Sequence, residues 1–97
     1  MQPPAVIGGL PVVRYTSVDA RHRPTGACRH SIGGEVAAPA AGLAVCGDDR
    51  DGYYLFGCDA AWEPVTDTWH ATEADALEQA EFEYAGVSAT WVRPPGR

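Results

Sequence analysis

The chain contains no lysine and no asparagine, and all seven of its basic residues are arginine. Set against 13 acidic residues, they leave a formal net charge of −6. A chain with so little positive charge is a poor general partner for nucleic acid, whose phosphates must be neutralised by a basic face. Nucleotide-cradling loops are also missing: the glycines fit neither G-x-x-x-x-G-K-[ST] nor a G-x-G-x-x-G after a strand. Ser17, Ser31 and Ser88 lack the flanking glycines of a nucleophile elbow. Cys28, Cys46 and Cys58 are odd in number and show no C-x-x-C spacing, so free thiols in a reduced, cytoplasmic protein are expected. The opening MQPPAVIGGLPVVRY has no positive n-region, and Pro and Gly interrupt its apolar stretch, so neither a signal peptide nor a membrane span is expected. The arginine bias, with abundant Ala, Gly and Pro, is the composition of a GC-rich bacterial genome.

What is present is concentrated. With 97 residues and 45% hydrophobic content, the chain can build one domain with a modest core. Eight of the nine aromatic residues lie between Tyr53 and Trp91. Charge is equally uneven: residues 1–34 hold four arginines and one acid, whereas 35–92 hold twelve acids and one arginine. Such asymmetry suits either a solvated acidic face or an interaction surface.

Residues 1–11, rich in Pro and Gly, predict a loose N-terminal arm, and 12–18 predict a strand. Residues 19–42 show no periodicity and read as a long loop, with a short strand near Glu35 and Val36. Residues 43–92 carry a ββ-β-α core. Its hairpin pairs 43–47 with 53–58, and Asp51-Gly52 predicts a two-residue type I′ turn that places Cys46 opposite Gly57. Alternation puts Tyr54, Phe56 and Cys58 on one face and Tyr53 and Leu55 on the other, as in a strand covered on both sides. After a turn at 59–62, residues 63–69 return as a third strand, with Pro64 suited to an edge.

A helix follows. Thr72 is its expected N-cap, Asp75 completes a capping-box-like pattern, and Gly86 predicts a left-handed stop. Ala76, Leu77, Ala80 and Tyr84 make the buried stripe, and Phe82 falls among the acids opposite. Trp91 and Val92 predict a last short strand.

Three groups of residues could carry function. Phe82 on the helix and Trp62 in its turn would be exposed aromatics on an acidic surface, the residue types that anchor protein interfaces. His70 could serve as an acid-base group, oriented by Asp59 or Glu81, in a pocket walled by Trp69 and Tyr54. Cys28 and His30, with His22, could bind a metal, although one intervening residue is tighter than usual ligand spacing and Arg21, Arg23 and Arg29 oppose a cation.

The run YYLFGCDAAWEPVTDTWHATEADALEQAEFEYAGVSATW resembles a family of small uncharacterised bacterial proteins. Its pattern is a tyrosine-rich strand, Cys-Asp, Trp, Val-Thr-Asp-Thr-Trp-His and a helix bearing Gln-Ala-Glu-Phe-Glu-Tyr. The resemblance covers residues 53–91 and implies a common ββα core with no assigned activity.

The sequence thus predicts an α+β domain spanning 1–97: a small antiparallel sheet of about four strands with one C-terminal helix on one face. The expected function is that of an acidic, non-catalytic binding or accessory protein, such as an immunity-type protein. It would use Trp62, Phe82, Trp69 and Tyr54 toward a protein partner or a second copy, without cofactor. The alternative is a small enzyme or ligand-binding protein with His70 as acid-base group.

Overall fold

The structure, a computed structural model, describes residues 2–25 and 39–94, together with the backbone of 31–32 and 35–36. Its centre is a five-stranded antiparallel sheet in the order β1-β2-β6-β7-β8, curved into a half-barrel. The strands are β1 (Val6–Ile7), β2 (Leu10–Ser17), β6 (Gly42–Asp48), β7 (Gly52–Cys58) and β8 (Pro64–His70). Two short ladders are separate from it, one between β3 (Arg23–Pro24) and β9 (Tyr84–Ala85), the other between β4 (Ser31–Ile32) and β5 (Glu35–Val36). One helix, α1 (Glu73–Glu83), packs on the sheet and is followed by β9 and a 3-10 turn, Val87–Ala89.

Both faces of the central strands are covered. On the helix side, Leu43, Val45, Tyr53 and Leu55 pack with Ala76, Ala80, Tyr84 and Val87. On the other side, Val12, Tyr15, Ala44, Cys46, Phe56 and Cys58 pack with Ile7 and Trp62. The alternation read along 53–58 is therefore the observed one. Small Ala76 and Ala80, both fully buried, let the helix approach the sheet closely. Thr72 caps it by accepting a hydrogen bond from the Asp75 amide at 3.1 Å.

Several expectations are corrected. Within the segment expected as a loose arm, Val6 pairs with Pro11 and Ile7 with Leu10, and Ile7 is buried. The β6–β7 hairpin has a three-residue loop, because Asp48 pairs with Gly52, which places Cys46 opposite Tyr54 and Cys58 opposite Gly42. The Asp48 carboxylate closes that loop by accepting from the Arg50 and Asp51 amides, and Gly52, at φ 90°, takes the positive dihedral. Cys46 and Cys58 are free and buried. Gly86 does adopt φ 100°, yet the helix ends before it: Tyr84 is already extended and pairs with Pro24. The Thr25 amide and hydroxyl donate to the Glu83 and Phe82 carbonyls, so tertiary pairing satisfies the helix end that a glycine cap would otherwise serve. Val92 forms an isolated bridge to Tyr15 rather than a strand.

Candidate functional site

β8 is an edge strand, and among the described residues no strand pairs with its outer side. Its register on β7 fixes where each side chain goes: Tyr53 faces His70, Tyr54 faces Trp69, Leu55 faces Thr68 and Phe56 faces Asp67. Thr66, Thr68 and His70 therefore share the helix side with Tyr53 and Leu55. Val65, Asp67 and Trp69 share the opposite side with Tyr54 and Phe56.

That opposite side carries an aromatic strip. Trp69 is 54% exposed yet held in place, its indole N–H donating to the Asp51 carbonyl at 3.2 Å. Its ring lies across Gly52, where a Cβ would come within 2.5 Å of Nε1, so only glycine fits beneath it. Tyr54 stands beside it and stacks on Phe56 with ring centroids 5.7 Å apart. Past Phe56 the strip ends in a shallow depression of about 230 Å³ lined by Phe56, Pro64, Val65, Thr66 and Asp67. Val65 is exposed at its rim. Among the described residues, neither the Asp67 nor the Asp51 carboxylate has a hydrogen-bond or ion-pair partner.

The residues singled out from sequence distribute unequally around this strip. Trp62 is not exposed: it is 7% accessible, sits edge-on to Tyr15 at 6.0 Å and presses against Gly42. The reason is its backbone, the one non-glycine positive φ among the described residues (63°), which turns the indole inward over β6. Phe82 is exposed, at 54%, but it lies near the far end of α1, on the side of the sheet opposite Trp69. The two exposed aromatics therefore belong to separate surfaces.

The pocket sketched around His70 is not assembled. His70 faces the helix side, whereas Trp69 and Tyr54 face away from it, and His70 Nε2 is hydrogen-bonded to the Thr68 hydroxyl at 2.8 Å. Both candidate orienting carboxylates are occupied elsewhere. Asp59 accepts from the Ala61 and Glu63 amides and so closes the β7–β8 turn. Glu81 accepts from the Gly86 and Ser88 amides, at 2.9 and 3.0 Å, and these bonds hold its carboxyl below the usual range.

Cys28 and His30 lie outside the described residues. His22 is buried and fully bonded: Nδ1 accepts from the Asp19 amide at 3.1 Å, which leaves Nε2–H to donate to Thr90 Oγ1 at 2.9 Å. Thr90 continues to Thr16 Oγ1 at 2.8 Å, and Thr16 donates to the Ser17 carbonyl. Binding a metal at His22 would break this relay. Among the described residues no three His, Cys, Asp or Glu side chains converge on a cation position. The relay had no signal in the sequence, since Thr90 is 68 positions from His22. The depression beside Asp67 did have one, in the alternation of β8 after an edge-suited Pro64.

No family model matches the chain, and no curated protein and no solved structure matches it. Among the described residues, no helix is long and apolar enough to cross a membrane.

Proposed function

We propose that this protein is a small acidic binding module, without catalytic chemistry of its own, that engages a protein partner through the Trp69–Tyr54 strip on β8. The observation that carries this reading is Trp69, a half-exposed indole fixed over a glycine on an edge strand whose outer side is unpaired among the described residues. Exposed large aromatics held rigid are the groups that gain most from being covered, because little side-chain entropy is lost on binding. The surrounding charge favours a foreign partner over a second copy. Self-pairing of β8 would bring two chains of net charge −6 together with an Asp67 on each edge.

A catalytic reading around His70 draws no support from the geometry, since among the described residues no carboxylate orients it and its walls point to the other face. Free Cys46 and Cys58 suit a cytoplasmic setting.

The test is to compare tagged wild-type, Trp69→Ser and Phe82→Ser chains as baits in the native host. A partner retained by wild type and Phe82→Ser, but lost with Trp69→Ser, is the expected outcome. Loss with Phe82→Ser alone would move the surface to the helix.

A further inference from the structure

We infer that the occupant of this surface is a cationic, extended peptide segment that adds to the outer edge of β8 and places two basic side chains on the aromatic strip. This inference rests on the binding-module reading above and specifies its partner. β8 spans seven residues, and among the described residues its outer side is unpaired, so its free N–H and C=O groups can be satisfied by one more strand.

An added strand would present every second side chain to the face that holds Trp69, Asp67 and Val65. Two features on that face match positive charge. The first is the exposed Trp69 indole, whose π-face attracts guanidinium or ammonium and whose anchor is the backbone of Asp51. Asp51 is exposed and its carboxylate is without a partner among the described residues, adding negative potential beside the ring.

The second is the depression. Phe56 lines it, an apolar surface for the methylene stem of a long basic side chain, and Asp67 stands at its edge to meet the head group. Asp67 and Trp69 are two positions apart on β8, the same spacing as consecutive same-face side chains of the incoming strand. The segment is therefore expected to carry basic residues at positions i and i+2.

The charge of the whole chain favours the same class of partner. With twelve acids and one arginine between residues 35 and 92, approach of a cationic segment is steered and that of an acidic one opposed. A second copy meets the same opposition.

The experiment titrates the full, isotope-labelled chain with three capped peptides of about nine residues, a length that spans β8. One has two arginines two positions apart in a Thr/Val background. The second replaces both arginines with glutamate, and the third keeps the arginines but places proline between them. Amide spectra are expected to show the arginine peptide shifting residues 65–70 and the Trp69 indole N–H. The glutamate and proline peptides are expected to leave them unmoved. Trp69→Ala and Asp67→Asn should each weaken the arginine peptide by roughly tenfold, and raising salt should weaken it further. Both positions are exposed, and the dispersion of each variant's spectrum reports directly that it is folded.

Equal shifts from the glutamate peptide would overturn the charge assignment while leaving a binding edge in place. Shifts from the proline peptide would overturn strand addition. Concentration-dependent shifts at 65–70 without peptide would identify a second copy as the occupant. Silence of these residues toward every peptide would overturn this inference. A partner lost with Trp69→Ser in the bait experiment would then still support the binding module itself.

Discussion

Trp62 shows how one residue can be placed against its type. Aromatics in turns are common at interfaces, yet this one closes the core opposite the helix. Its positive φ and edge-on contact with Tyr15 tie the β7–β8 turn to the sheet face opposite the helix. Truncating it removes a buried indole, so Trp62→Ala should destabilise the fold by about 3–5 kcal/mol in denaturant titration. Gly42→Ala approaches the same site from below, where a Cβ would lie 2.6 Å from the indole, and should cost about 1–3 kcal/mol. A loss near zero for both would show that Trp62 swings out.

The thiols behave as core residues. Burial pushes Cys46 up to about 12, with a smaller contribution from Cys58, and burial likewise pushes Cys58 up to about 11. Both should resist alkylation until the chain unfolds. Because each folded value lies above the ordinary thiol value of 9.0, the neutral thiols favour the native state below pH 9.0, and that contribution fades as pH rises toward 11 and 12. The expected result is a steeper loss of stability above about pH 9 in wild type than in a Cys46→Ala/Cys58→Ala chain. Parallel losses would contradict it. Tyr53 shifts in the same direction, to about 12, chiefly through its hydrogen bond to Asp49, but it is common to both chains.

At the scale of elements, the helix start and the hairpin turn make opposite lessons. Thr72 and Asp75 are close in sequence and their capping bond is local, so the helix N-terminus was legible from the sequence; Thr72→Ala should cost about 1 kcal/mol by thermal unfolding. The helix C-terminus and the 43–58 register were not. Gly86 reads as the stop, but the competing partner for residues 84–85 is β3, some sixty positions away. Asp51-Gly52 reads as a type I′ turn, but the Asp48 side chain captures two amides and lengthens the loop by one residue.

The two-faced pattern of 53–58 was readable because alternation is local, and an α+β domain with one helix followed from it. The same alternation on β8 separates Trp69 from His70, which the expectation of one pocket formed by His70, Trp69 and Tyr54 overlooks. What no local pattern carried is the His22–Thr90–Thr16 relay, in which Thr90 meets side chains 68 and 74 positions away. Thr90→Val should leave the His22 Nε2–H without its partner and cost about 1–3 kcal/mol, as judged by denaturant midpoint. Thr90→Ser, which keeps the hydroxyl, should recover most of that loss.

For the whole molecule, the two sides of the sheet have different employment. The helix side is filled by α1 and braced at its rim, where Glu73 pairs with both Arg14 and Arg93. The other side is filled over β2, β6 and the inner part of β7, but it opens toward β8, where Tyr54, Trp69 and Val65 lie uncovered or half-covered. A molecule this small gains little stability from leaving an indole in water, and the rigid mounting of Trp69 is better suited to recognition than to packing. The docking surface proposed for this molecule is the β8 edge. The most direct measurement is photo-crosslinking in the native host from a reactive side chain installed at exposed Val65, with a matched chain carrying it at Phe82. A crosslink to another protein from position 65, abolished by Trp69→Ser and absent from position 82, is the result expected. Crosslinking from position 82 alone, with position 65 silent, would contradict the claim.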